Sequence, residues 1–255
     1  MDTVIRRRET EDICFMEVFR DDGLIRKPLV ILFHGHLSHK ERVLTQAYYL
    51  AQKKLFVLVP DAYMHGERNP FKKETDIFEV VIKSSCEADV LIDLYKNDER
   101  LDVSRFGIAG ISMGGFIVYD YITKNKRRPK AAAAIISTPD YVSVMKTREA
   151  AQYYENRGIK PDSPEMEMLM EKVGRSQPLA RYEEMRDIPL LMINGDKDEI
   201  TSIEGSKKLY SLLEPLYADK TALKLSVYKG VDHNLTYDMD IEAADWFARY
   251  LFERN

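Results

Sequence analysis

A serine between glycines is the residue whose surroundings point most clearly to chemistry. Ser112 lies in the segment Gly110-Ile111-Ser112-Met113-Gly114-Gly115, which fits the pattern G-x-S-x-G. An apolar, strand-like run precedes it, and a helix-like segment, FIVYDYI, follows it. A tight strand-to-helix turn needs glycines beside the serine, because a Cβ there would crowd the backbone, and the turn lifts the hydroxyl above the sheet edge. The sequence therefore predicts that Ser112 is a nucleophile.

A serine hydroxyl is a weak nucleophile near pH 7, so it needs a base and an orienting acid. Of the five histidines, His233 follows the last predicted strand and precedes the C-terminal helical segment. The loop after the preceding strand offers two acids, Asp196 and Asp198. We predict that Asp198 orients His233, because an aspartate three residues beyond the strand-terminal glycine can curl back towards the histidine. Asp196 is assigned to the turn.

Three other histidines form a rival pattern. His34, His36 and His39 have the spacing H-x-H-x-x-H, which resembles the H-x-H-x-D-H zinc motif of metallo-β-lactamase-type hydrolases. Ser38 stands where that motif has its aspartate, and a zinc site needs three or four ordered ligands. The motif would also leave the Ser112 turn unexplained. We therefore expect no metal, and we expect His34 to brace its loop.

These residues need a sheet that brings several strand ends together. Short apolar runs alternate with longer segments whose apolar residues recur every three or four positions, the pattern of a parallel sheet covered by helices. Amphipathic helices are expected over 77–95 and 241–251, and residues 13–20 are expected to form an antiparallel edge strand. Buried strands are predicted at 28–33, 55–59, 105–111, 131–136, 189–193 and 223–228.

One segment, 139–187, interrupts this alternation and contains no convincing buried strand. We expect it to form a helical cap insert over the sheet, within a single domain that spans residues 1–255. Its methionines and tyrosines would suit varied acyl or alcohol groups, although packing of the cap helices would explain them too. The predicted substrate-binding residues of this insert are Met145, Tyr153, Met166 and Met170.

Composition excludes several classes of protein. The 255 residues are 45% hydrophobic and 31% charged, with a net charge of −4, so a basic nucleic-acid-binding surface is not expected. Two cysteines cannot form a disulfide framework. The N-terminal sequence lacks the apolar stretch of a secretory signal, and no apolar run approaches the length of a membrane span. We expect a cytoplasmic protein without nucleic-acid or membrane partners.

Five segments together resemble the α/β-hydrolases, and more narrowly the small bacterial esterases related to prolyl-oligopeptidase-type hydrolases. They are HGHLSHK (34–40), PDAYMHGER (60–68), DVSRFGIAGISMGG (102–115), INGDKDEIT (193–201) and KGVDHNLT (229–236). The resemblance covers about residues 27–252, and the chain order Ser, Asp, His is that of the α/β-hydrolases. It implies a mostly parallel sheet with helices on both faces. It also implies an oxyanion hole formed by the backbone N–H groups of His36 and Met113.

The expected function is that of a serine carboxylesterase acting on small to medium acyl esters. Ser112 would attack the carbonyl carbon, His233 would transfer the proton, and Asp198 would hold the imidazole. No cofactor is expected, the partner is a small-molecule ester, and a homodimer is left open. Two alternatives remain: a peptidase-like or thioester hydrolase of the same fold, and a non-catalytic receptor that retains the triad.

Overall fold

An eight-stranded sheet organises the molecule. The computed structural model describes residues 2–10, 12–23, 26–71, 73, 75–124 and 127–252. The strands lie in the order β1-β2-β4-β3-β5-β6-β7-β8; β2 is antiparallel to both of its neighbours, and the remaining pairs are parallel. Their bounds are Thr3–Glu9 (β1), Cys14–Arg20 (β2), Lys27–Phe33 (β3), Phe56–Pro60 (β4), Leu101–Ile111 (β5), Ala131–Ile135 (β6), Leu190–Gly195 (β7) and Leu223–Tyr228 (β8).

Burial explains why the central strands read as continuous apolar runs. Every residue of β3, β4, β6 and β7 is buried. Successive side chains of β3 alternate between two apolar cores, with Leu29 and Ile31 in one and Val30 and Leu32 in the other. The cores therefore lie on opposite faces of the sheet. In contrast, β8 is only partly buried because it is an edge strand.

Helices cover both faces of the sheet. Helices α2 and α3 contribute to the core that contains Leu29, whereas α1 and α8 contribute to the core that contains Val30. Asp76 caps α2, since its carboxylate accepts hydrogen bonds from the N–H groups of Phe78 and Glu79. The helices are α1 (Leu44–Gln52), α2 (Ile77–Leu94), α3 (Met113–Lys124), α4 (Tyr141–Met145), α5 (Arg148–Glu155), α6 (Pro164–Ser176), α7 (Ile203–Leu213) and α8 (Tyr237–Phe252).

The positions of the parallel strands and of the two amphipathic helices agree with the sequence prediction, and the α/β-hydrolase architecture is confirmed. The prediction that 223–228 is a buried strand was wrong, because β8 lies at the sheet edge and is only partly buried. The N-terminal edge assignment was wrong. Residues 14–20 do form an antiparallel strand, β2, but β1 pairs along its outer side and forms the edge. β1 was missed because its sequence, TVIRRRE, is highly charged. Charge suits an exposed edge strand, and Arg6 and Arg8 here lie 3.5 and 3.4 Å from the buried carboxylate of Glu17.

The segment between β6 and β7 contains α4, α5, α6 and a 3-10 helical stretch, Pro178–Met185. Its apolar side chains join the core formed with α2 and α3. Tyr141 donates its hydroxyl to the carbonyl of Phe116 in α3 at 2.8 Å. Tyr154 reaches the Asp76 carboxylate at 3.4 Å. The inserted helices are thus anchored on the helices that follow β4 and β5.

None of the helices within the described ranges has both the length and the apolar character required to cross a membrane.

Candidate active site

Ser112 occupies a sharp turn between the end of β5 and the start of α3. Its φ is +55°, in the left-handed region that a side chain other than glycine adopts only at a cost in energy. A Cβ on Gly110 would lie 2.0 Å from the carbonyl oxygen of Gly114, and a Cβ on Gly114 would lie 2.3 Å from that of Phe33. Both positions therefore require glycine. The close contacts hold the strained serine at the carboxyl edge of the sheet.

His233 lies on the loop between β8 and α8 and faces the serine. Its Nε2 is 2.9 Å from Ser112 Oγ, and its Nδ1 is 2.8 Å from Asp198 Oδ2. A Cβ on Gly195, the last residue of β7, would lie 2.2 Å from the carbonyl oxygen of Val231. This glycine lets the histidine loop pack directly on the strand end. The structure thus brings Ser112, His233 and Asp198 into one hydrogen-bonded chain.

Asp198 is only 6% exposed and is held by several donors. The N–H groups of Ile200 and Thr201 donate to Oδ1 at 2.9 and 2.8 Å, and the Thr201 hydroxyl lies 2.8 Å from Oδ2. Burial by itself disfavours the carboxylate, but the hydrogen bonds from His233 and Thr201 outweigh it and lower the pKa of Asp198. The acid is therefore ionised and fixed towards the imidazole.

The second aspartate of this loop has a different environment. Asp196 is exposed and accepts a hydrogen bond from the N–H of Gly230 at 2.6 Å. That bond joins the β7 and β8 loops, which matches the expected role of Asp196 in the turn. Thr201 was not predicted as a site residue; its place three positions after Asp198 is the local signal that identifies it, because such a residue can return its N–H to the aspartate.

Two backbone N–H groups are available beside the serine. Met113 is the first residue of α3, where an N–H has no partner within the helix. The 34–36 turn follows β3, and a Cβ on Gly35 would lie 3.6 Å from Ser112 Cβ. Within the described ranges, neither His36 N–H nor Met113 N–H donates to another protein group. This arrangement is compatible with the predicted oxyanion hole, whose role stays a prediction.

His34 braces the turn from inside the protein. Its ring is fully buried; Nδ1 donates to the carbonyl of Gly35 at 2.8 Å, and Nε2 accepts from the N–H of Ala62 at 3.0 Å. Burial lowers the pKa of His34 to about 4, even though the bond to Gly35 favours the charged form. His34 is thus a neutral link between the 34–36 turn and the loop after β4.

A buried ion pair fastens the same two segments. The Lys40 ammonium lies 2.8 Å from Asp61 Oδ2, and the Lys40 backbone N–H donates to Oδ1 at 2.8 Å. Both side chains are 0% exposed. Further along this loop, Arg68 makes a two-pronged ion pair with Glu87. The Lys40–Asp61 pair was not predicted, although Asp61 stands directly after β4.

The histidines of the rival zinc motif do not converge. Both nitrogens of His34 are engaged as described, and His39 directs Nδ1 to Glu41 at 2.7 Å on the surface. Across the described part of the chain, no group of three or more His, Cys, Asp or Glu side chains is arranged to hold a metal ion. Instead, His34 and His36 of this pattern lie in the turn beside Ser112.

Comparison with known proteins identifies the family. Residues 87–252, about two thirds of the chain, match the prolyl oligopeptidase family (Peptidase_S9). The chain belongs to the prolyl oligopeptidase family. It is a hydrolase with the α/β-hydrolase fold, and the resemblance seen in the five sequence segments is confirmed.

Similar proteins extend the match to nearly the whole chain. A Bacillus subtilis (strain 168) protein named "Putative esterase YitV" is 27% identical over 97% of this chain and 99% of its own. Esterase YjfP of Escherichia coli (strain K12) is 25% identical over the same fractions of the two chains. The structure of TT1662 from Thermus thermophilus superposes with a TM-score of 0.78, at 22% identity, and covers 100% of both chains. The Bacillus subtilis and Escherichia coli relatives are esterases by name, and the Thermus thermophilus protein shares the fold of this chain.

The predicted pocket residues of the insert fall into two groups. Met145 and Met166 are each 3% exposed and are members of the apolar core, and Met170 packs against that core. Tyr153 of α5 lines a cavity that also contains His36. Met168, between the two methionines of α6, is 70% exposed. Of the four residues, Tyr153 is therefore the one with a place beside the 34–36 turn.

The buried His34 predicts a pH dependence of stability. Because its folded pKa of about 4 lies below the ordinary 6.5, the neutral ring stabilises the folded state above pH 6.5, and this contribution is lost as the pH falls towards 4. Between pH 7 and 4, the wild type should lose about 3 kcal/mol more unfolding free energy than His34→Gln. Urea denaturation across this pH range measures the difference. Parallel curves for the two proteins would contradict the assignment.

Proposed function

We propose that this hydrolase is a serine carboxylesterase that cleaves small to medium acyl esters through an acyl-enzyme. The observation that carries the proposal is the hydrogen-bonded chain from Ser112 through His233 to Asp198, built on a strained strand-to-helix turn. The esterase relatives support the same activity. The arrangement supplies a nucleophile, a base and an orienting acid, which acyl transfer requires.

In the proposed first step, Ser112 Oγ attacks the ester carbonyl carbon. His233 Nε2 accepts the hydroxyl proton, while Asp198 stabilises the imidazolium through Nδ1–H. The carbonyl oxygen becomes an oxyanion, which the N–H groups of His36 and Met113 stabilise as donors in the proposed mechanism. The macrodipole of α3 adds favourable electrostatics, because its N-terminus points at the developing negative charge.

Collapse of the tetrahedral intermediate then breaks the ester bond. His233 returns its proton to the departing alkoxide, and the acyl group stays on Ser112 Oγ. Water attacks the acyl-enzyme with His233 again as base, and a second tetrahedral intermediate releases the carboxylic acid and restores the serine hydroxyl. Every proton transfer passes through the His233 imidazole, so Ser112, His233 and Asp198, together with water, complete the catalytic cycle.

The family match favours one second candidate, hydrolysis of a peptide bond. Amide and ester substrates with the same acyl group separate the two activities. An esterase hydrolyses the 4-nitrophenyl ester and leaves the 4-nitroanilide largely intact, whereas a peptidase cleaves both.

Replacing the nucleophile tests the proposal directly. Ser112→Ala should lower kcat for 4-nitrophenyl acetate by roughly 10³ or more, because covalent catalysis is lost, while the melting temperature stays close to that of the wild type. Ser211→Ala, on the exposed side of α7, is the matched control and should keep full activity. Turnover of Ser112→Ala at nearly the wild-type rate would refute the nucleophile and assign the hydrolysis to another group. Absence of turnover in the wild type would favour the receptor instead.

The two aspartates of the β7 loop give an internal comparison. Asp198→Asn should lower kcat by up to about 10⁴, because an amide at this position selects the wrong tautomer of His233. Asp196→Asn should cost far less, since Asp196 is exposed and bonds only to the loop backbone among the described residues. Steady-state kinetics of both variants measure the ranking. The opposite order would show that the orienting acid is Asp196.

A further inference from the structure

A cavity of about 780 Å³ opens beside the 34–36 turn. His36 lines it, and the neighbouring Gly35 approaches Ser112, since a Cβ on that glycine would lie 3.6 Å from Ser112 Cβ. The volume lies in the range of pockets that enclose whole small-molecule ligands, and it is far larger than an acetyl group requires. The lining residues used below are Leu37, Glu41, Met64, His65, Glu67 and Tyr153.

His65 lines this cavity and has an unused acceptor atom. Its side chain is 7% exposed, and Nδ1 lies 2.9 Å from the carbonyl oxygen of Tyr63. That contact places the proton on Nδ1 and leaves a lone pair on Nε2. Burial lowers the pKa of His65, which keeps the ring neutral. Within the described residues, the buried Nε2 has no hydrogen-bond partner. Such an acceptor is stabilised by a donor from a ligand.

A carboxylate adds a further acceptor. Glu41 accepts from the side chains of His39 and Lys40. A carboxylate offers about four lone-pair sites, so Glu41 retains capacity for a ligand hydroxyl, whereas Arg7 and Lys40 occupy the sites of Glu67. The cavity therefore combines the unpartnered nitrogen of His65 with a carboxylate that can accept one more donor.

Flat and apolar surfaces lie next to these acceptors. The rings of His36 and His65 are 5.5 Å apart, and Tyr153 lines the same cavity from α5. Leu37 and Met64 have φ angles of +53° and +55°, and Leu37 is 86% exposed. Left-handed backbone at two apolar lining residues is costly and concentrates at ligand sites. Ring faces beside acceptors suit a saturated ring whose C–H faces are apolar and whose edges carry hydroxyls.

We propose that this cavity binds the hydroxyl-rich alcohol portion of the substrate, so that the ester is an O-acylated sugar. His65 Nε2 accepts a hydrogen bond from a sugar hydroxyl, and the adjacent rings cover a face of the sugar. The ester carbonyl then lies over Ser112, and the sugar leaves as the alcohol. This inference rests on the proposed esterase activity, because Ser112 must cleave the bond.

Two acetates of similar shape test the proposal on the wild-type protein. In both 6-O-acetylglucose and cyclohexylmethyl acetate, a six-membered ring carries an acetylated CH₂–O group, but only the first has ring hydroxyls. We expect kcat/KM for the sugar ester to exceed that for the cyclohexylmethyl ester by about tenfold or more. An equal or reversed ratio, with 4-nitrophenyl acetate still hydrolysed, would overturn the sugar site and leave the esterase proposal standing. Hydrolysis of none of the three esters would refute the esterase proposal itself.

Two substitutions of His65 test its role. His65→Phe keeps a ring but removes the acceptor, and the ratio of the two kcat/KM values should fall about tenfold. His65→Gln retains an amide oxygen that reaches the position of Nε2, so it should preserve most of the preference. Equal ratios in the wild type and His65→Phe would overturn the assignment of His65. The ratio compares two substrates on one preparation, which separates recognition from a general loss of folded protein.

Discussion

The left-handed backbone of Ser112 is the constraint on which the site depends. A non-glycine residue adopts that backbone conformation only where its surroundings exclude other conformations. Close contacts exclude them here. Gly110 and Gly114 bring β5, α3 and the end of β3 within distances that no side chain would allow. The hydrogen bond from Ser112 N–H to the carbonyl of Ile135 ties the turn to β6. The position of Ser112 is therefore fixed by three neighbouring strands.

The other groups reach the serine from the same edge of the sheet. Parallel strands place their carboxyl ends side by side, so the loops after β3, β5, β7 and β8 meet there. Glycine again permits the closest approach, where Gly195 contacts the histidine loop. A buried ion pair between Lys40 and Asp61 holds the turn that follows β3. Breaking such a pair typically costs about 3–5 kcal/mol, because one charge is left unpaired. The contacts that support the site are therefore costly to disturb.

The features that the sequence predicted well follow from local geometry. The central strands were identified because burial on both faces gives unbroken apolar runs. The turn at Ser112 was predicted because its glycines are a steric requirement, and the role of the serine stays a prediction. The preference for Asp198 over Asp196 agrees with the structure, since the spacing after Gly195 determines which carboxylate can reach His233. Each of these inferences uses residues close together in the chain.

The inferences that failed or stayed open depend on distant contacts. β1 was missed because its arginines are stabilised by Glu17 of the neighbouring strand, which the local sequence does not show. The helical insert was recognised, but periodicity could not separate Met145 and Met166, which face the core, from Tyr153, which lines a cavity. His65 carries no motif; its significance arises from burial and from the contact with Tyr63.

We propose that this turn presents Ser112 as the nucleophile, and labelling with a fluorophosphonate tests that role. The reagent forms a stable bond to an activated serine, so peptide mass spectrometry can locate the adduct. We expect one adduct per chain, on the peptide that contains Ser112, and loss of esterase activity in proportion to labelling. An adduct on another residue, or full ester hydrolysis by protein labelled at Ser112, would contradict it.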